Sequence, residues 1–226
     1  MKPNARALSL VDAIATDIRD QLFDGTISVD EQLTEAKVAE VYGVARPTAK
    51  SAIEKLVVEG LLVRGPHKTA RVPDIGAQDV KDLLFARFVV EGEAIRRLAE
   101  QRRMPEYLLS SNERTRSEGE RSGVEAIKAV LSFHMGIVAE LGSPRLDRVY
   151  GILMGEMRLC LVQMQARNLF QPDPIAHEHD AIIEAVLAGD PDAAVAALSA
   201  HLDQARDRMV PALERRSEAT APLARE

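Results

Sequence analysis

The chain has 226 residues, 46% of them apolar, a formal net charge of −6 and a single cysteine, Cys160. That length and apolar content suffice for two ordinary domains with real cores, and a lone thiol, read as a small buried side chain, excludes a disulfide framework and points to a reducing compartment. Aromatic residues make up 4% with no tryptophan, which argues against single strands held on stacking platforms, while a polar N-terminus and no run near the ~18 apolar residues of a membrane span give the expectation of a cytoplasmic protein.

Residues 1 to 6 carry no pattern. Leu8, Val11, Ile14, Ile18 and Leu22 then recur at three- and four-residue spacing, which predicts a first helix ending near Asp24-Gly25. Thr34 is placed to cap a second helix beginning at Glu35, which runs into Tyr42-Gly43-Val44, where glycine can take the positive φ of a tight inter-helix turn. The next helix buries Ile53, Leu56 and Val57 and leaves Arg46, Thr48, Lys50 and Ser51 on its other face. Gly60 stops it, and Leu61-Leu62-Val63 and Ala70-Arg71-Val72 flank a Gly-Pro-His-Lys turn as a small β-hairpin would. Helix, turn, helix, hairpin is the order of a winged helix, expected over residues 7–73. Between Gly43 and Val72 six cationic side chains face two acidic ones, a local balance of +4 in an acidic chain, which is the footprint of a phosphate-binding patch.

Pro73 to Ala77 breaks both periodicities and is read as a linker over 74–78. From Asp79 the pattern is helical throughout, predicting an all-α antiparallel bundle over 79–215 and a disordered tail over 216–226. Its first helix carries Leu83, Leu84, Val90, Ile95 and Leu98. The polar stretch after Pro105, SSNERTRSEGERSG, reads as a loop or frayed helix end. Further helices are expected from Val124 to Leu141, Arg145 to Asn168, Pro174 to Leu187 and Pro191 to about Leu213, with Gly-Ser-Pro, Gln-Pro-Asp and Gly-Asp-Pro as the breaks.

Four of the five histidines fall in this second part. His179 and His201 each lie 11 residues from Asp190, at the turn of an antiparallel helix pair, so at about 1.5 Å per residue they reach the same height. His134 sits on a third, packed helix; three imidazoles at one level can hold a metal or an anion. His177, two residues from His179, belongs to another face. Arg87, four residues before Glu91, can form an ion pair with it or hold a carboxylate, and Arg158 in an apolar run is a second candidate.

The stretch from Leu33 to Val72 resembles the winged helix of the GntR superfamily of bacterial transcription regulators: Leu33, Glu35, Ala39, Gly43, Val44, Arg46, Ala52, Leu56, Glu59, Gly60 and Leu61 fall on its pattern. Ala45, Ala36, Lys50 and Thr69 depart from it. FHMGIVAELGSPRL and EHDAIIEAVLAGDPDAAVAALSAHL resemble segments of the FCD effector domains found in one subfamily. The resemblance implies double-stranded DNA as partner, with Glu35, Arg46, Thr48, Lys50 and the wing residues His67 and Lys68 at the DNA, Lys50 as a phosphate contact rather than a base reader. It also implies Arg87 in a ligand cavity, with Arg158 the weaker candidate for binding a carboxylate effector. Its metal ligands are an Asp four residues before the first histidine and three histidines; here those positions hold Val130, His134, His179 and His201. Three imidazoles without the Asp suit zinc or nickel over magnesium or calcium. The expectation is a homodimeric, ligand-responsive regulator on a palindromic operator. The alternative is a metal-dependent enzyme built on the same histidines, which would need a positioned base; Glu184, five residues beyond His179, is off that face.

Overall fold

A computed structural model describes residues 9–29, 31–65, 69–119, 123–166 and 173–220, with only the backbone of 119, 173 and 216–220. The chain divides into two compact units, Met1–Asp74 and Ile75–Glu226.

In the first unit α1, Leu10–Phe23, starts where the Ser9 hydroxyl accepts from the Asp12 amide and buries Ile14, Ile18 and Leu22. Thr34 caps α2, Glu35–Tyr42, by accepting from the Lys37 amide, and Gly43 closes that helix at φ +63°, a conformation in which a Cβ would be strained. The helix α3, Arg46–Val58, buries Ala49, Ala52, Ile53 and Leu56 against α1 and α2. The hairpin is narrower than its sequence suggests, β2 at Val63–Arg64 and β3 at Thr69–Arg71, because Leu61 and Leu62 are drawn fully into the core instead of pairing. A third strand, β1 at Gln32–Thr34, pairs antiparallel with β3 so that Leu33 faces Ala70, giving the sheet order β1-β3-β2. Three residues are too few to show alternation, so sequence periodicity does not see β1.

The second unit holds, among the described residues, α4 (Ala77–Glu100), α5 (Glu106–Gly119), α6 (Gly123–Ala139), α7 (Pro144–Gln165), α8 (Asp173–Ala188) and α9 (Pro191–Thr220). The helix α4 packs on α6, α7, α8 and α9, and α5 lies between α6 and α8. The stretch over residues 110–123, expected as a loop or a frayed helix end, is a correction: residues 110–119 belong to α5. Its inward face is Leu108, Ser111, Asn112 and Thr115, all buried, at helical spacing but mostly polar. The polar groups are satisfied in place, Ser111 Oγ donating to the Ala129 carbonyl and Thr115 Oγ to that of Ser111. A second correction is the tail, since α9 continues past Leu213 to Thr220, carrying Pro211 within it. The expected end of α7 at Asn168 lies outside the described residues.

Candidate functional site

The polar face of α3 is as its sequence suggests. Arg46, Lys50 and Ser51 are exposed and Thr48 is half-buried. The helix begins without a side-chain cap at Ala45 and without an acid in its first turn, so no acid offsets its partial positive end, and it carries Arg46 and Lys50 exposed, a combination suited to a phosphate. Glu35 is a different matter. It is half-buried and lies 3.6 Å from Arg64, which also meets Glu54, so its carboxylate is shared with the wing strand. His67 and Lys68 lie outside the described residues.

In the second unit His134 from α6, His179 from α8 and His201 from α9 are all buried, and one ring nitrogen of each lies within 4.8 Å of those of the others. Each imidazole is oriented through its other nitrogen. His134 Nδ1 is 2.7 Å from Glu91 Oε2, His201 Nδ1 is 2.7 Å from Glu178 Oε2, and His179 Nδ1 is 3.0 Å from Asn112 Oδ1. The Asn112 amide is fixed in turn, its Nδ2 donating to the Ala176 carbonyl and to Asp180 Oδ1, so its oxygen must accept. With Nδ1–H donating, His134 and His179 bring bare Nε2 lone pairs to 3.2 Å of each other. Two lone pairs so placed repel, and a cation between them removes the repulsion. Tetrahedral zinc with Zn–N of about 2.1 Å sets its ligand nitrogens about 3.4 Å apart, so the donor set fits a transition metal.

Electrostatics keeps these rings neutral, which is the ligand form. Burial, reinforced by Arg87, pushes His134 down to about 4. Burial and the neighbouring imidazoles hold His179 well below the ordinary value, and burial lowers His201 against the pull of Glu178. Burial by itself would raise the Glu91 carboxyl, but Arg87 and His134 beside it hold it far below the usual range, so it is an anion.

Arg87 is buried and its Nε donates to Glu91 Oε1 at 2.7 Å; the two readings of this pair, surface ion pair or cavity residue, merge into a buried pair at a cavity wall. Tyr150 Oη donates to the same Glu91 oxygen at 2.6 Å. The cavity, about 50 Å³, is bounded by Arg87, Val130, His201 and Arg208 with Leu84, Leu131 and methionines of α7 and α9. Arg158, half-buried on α7, is not among its walls, so the structure does not bring it together with Arg87. His177 is exposed, away from the triad, and Glu184 is exposed as well. Sequence reasoning missed three residues here. Asn112 and Arg208 sit in polar stretches with no pattern of their own, Glu178 lies within the second FCD-like segment without a role assigned to it, and the Glu91–His134 contact joins positions 43 residues apart. The only signal was spacing: Glu178 precedes His179 directly, and Arg208 is two helical turns beyond His201.

Comparison with known proteins matches the FCD domain model to residues 82–204 and that of the bacterial regulatory proteins of the gntR family to residues 10–72. The chain is 25% identical over 206 residues to the "Probable D-xylose utilization operon transcriptional repressor" of Paenarthrobacter nicotinovorans, covering 84% of this chain and 85% of that protein. It is 24% identical over 215 residues to the uncharacterized HTH-type transcriptional regulator BphR of Paraburkholderia xenovorans (strain LB400), covering 89% and 85%. In structure it is similar to a GntR transcriptional regulator from Rhodococcus sp. RHA1, TM-score 0.80 at 22% identity over 90% of this chain and 99% of that one. It is also similar to E. coli McbR/YncC, TM-score 0.72 at 20% identity over 93% and 100%.

Proposed function

As the chain belongs to the GntR family of bacterial transcription regulators, in the group that carries an FCD domain, we propose that it is a ligand-responsive regulator: its winged helix holds operator DNA through Arg46, Thr48 and Lys50, and its helical unit takes a small carboxylate beside a transition metal. The observation that carries the DNA reading is the uncapped, acid-free start of α3 with Arg46 and Lys50 exposed on it. A monomer offers one such helix, so a two-fold dimer on a palindromic site is the arrangement that doubles the contact. No described helix is long and apolar enough to cross a membrane.

His134, His179 and His201 would hold zinc or nickel through Nε2, with Val130 in the place of the acid ligand, and the bound ion would offer a Lewis-acidic contact to an effector oxygen. The residues around them serve orientation. Glu91 and Glu178 are each tied to an imidazole and an arginine, so neither is available as a general base, which favours sensing over catalysis at this site.

The test is a gel shift with DNA upstream of the protein's own reading frame, with and without zinc and small carboxylates. A sequence-specific shift that a carboxylate alters is expected. Binding that does not distinguish this DNA from an unrelated fragment would refute the operator reading.

A further inference from the structure

Among the described residues, the charged walls of the cavity beside the histidines are of one sign: Arg87 from α4 and Arg208 from α9 line it, no described carboxylate does, and the remaining described lining apart from His201 is apolar. Each arginine is held by a glutamate, Arg87 through Nε alone and Arg208 through both Nη atoms. Glu91 accepts from Arg87 Nε and from His134 Nδ1; Glu178 accepts from Arg208 Nη1 at 2.5 Å and Nη2 at 3.0 Å and from His201 Nδ1. Arg87 Nη2 is buried and has no hydrogen-bond partner among the described residues, in a residue that is 4% exposed.

The charges sum simply. Two arginines offset Glu91 and Glu178, and the neutral imidazoles add nothing. A divalent ion held on the three Nε2 atoms would add two positive charges that no acid among the described lining residues offsets, since Val130 stands at the cavity wall.

We infer that this cavity is built for a small dicarboxylate, one carboxylate on Arg87 and the other on Arg208, with the metal's charge balanced by the ligand itself. The inference rests on the reading of this unit as a carboxylate-sensing domain. Two arginines on different helices, each already fixed by its own glutamate, favour two separate anionic groups over one phosphate. Met157, Met164 and Met209 in the wall can re-pack around the methylenes between them.

The experiment is calorimetry on the zinc-loaded full chain with matched pairs of acids: succinate against butyrate and glutarate against valerate, plus a phosphate monoester, glycerol phosphate. The diacid of at least one pair should bind roughly tenfold or more tighter than its monoacid, as one added charge-assisted contact warrants. Arg208→Gln should lower diacid affinity by a larger factor than monoacid affinity and so collapse that preference, Arg208→Lys should keep part of it, and Arg87→Gln should weaken both acids. Zinc content measured on each variant separates loss of an anion contact from loss of His201 orientation through Glu178; a preference that disappears only where zinc is also lost counts against the inference. Equal binding of diacid and monoacid, an Arg208→Gln effect equal on both, or tighter binding of the phosphate ester overturns it while leaving the sensing domain intact. If no acid binds, the carboxylate reading falls too, and the gel shift still decides the DNA reading separately.

Discussion

At the residue scale the helical unit turns on which nitrogen of each imidazole is occupied. Glu91, Asn112 and Glu178 take the three Nδ1–H groups and leave the Nε2 atoms facing one another. Partners of this kind orient ligands and raise their basicity, so Asn112→Ala and Glu91→Gln should each lower zinc affinity by roughly tenfold to a hundredfold without removing a ligand, measured by competition with a chromophoric chelator. Unchanged affinity in both would show that the rings need no such orientation. Val130→Asp should raise zinc affinity, since it returns an anionic oxygen to the cavity wall. On α3, Arg46→Ala should cost about 1–3 kcal/mol of operator binding if the side chain reads a base, followed by fluorescence anisotropy on specific and scrambled DNA; a loss equal on both sequences would instead mark it as a phosphate contact.

At the scale of elements, α5 is held to α6 more closely than its polar composition suggests. Tyr107 Oη donates to Glu140 Oε1 at 2.6 Å and lies 3.1 Å from the Gly136 carbonyl oxygen, and a Cβ built at Gly136 would fall 2.5 Å from Leu108 Cδ2 and 2.9 Å from the Tyr107 ring. Leu108 is fully buried, so its side chain would have to re-pack within the core to make room. Gly136→Val should therefore destabilise the unit by about 1–3 kcal/mol despite valine's better helix propensity, seen as a lower midpoint in thermal melts. Because α5 also carries Asn112, the same variant should weaken zinc binding; a variant as stable as the parent would mean that the two helices separate easily. In the first unit β1 has a comparable role, tying the segment before α2 to the wing through Leu33 and Ala70, both buried.

At the scale of the whole molecule, two consequences can be measured. The first is acid sensitivity. His134 has a value of about 4 in the folded chain against an ordinary 6.5, and His179 and His201 are lowered too, so between those values the unfolded chain binds protons that the folded chain does not. Stability is then fully present above about pH 6.5 and falls as the pH drops toward 4; His134 alone accounts for roughly 3 kcal/mol. Urea unfolding of the metal-free protein across that range checks this, and a flat profile would contradict neutral buried imidazoles. The second concerns assembly. A regulator covering two half-sites should sediment at twice its 24.8 kDa, whereas a monomer at operator-binding concentrations would contradict the palindromic reading.

What the sequence by itself determined was whatever repeats with a fixed period or sits at a fixed chain distance. The stripe of Ile14, Ile18 and Leu22, the Gly43 turn and the equal distances of His179 and His201 from Asp190 all follow from local geometry, so the winged helix, the helical unit and the level of the histidines were legible. Where an element's inner face is polar, as in α5, or only three residues long, as in β1, local periodicity carries no signal. Only the tertiary structure decided that Glu91, Asn112 and Glu178 each take an imidazole proton and that Arg208, not Arg158, joins Arg87 at the cavity. These are contacts between different helices, made by charged and amide groups whose burial becomes tolerable only when the partner arrives from elsewhere in the chain, and no single stretch of sequence contains both halves of such a pair.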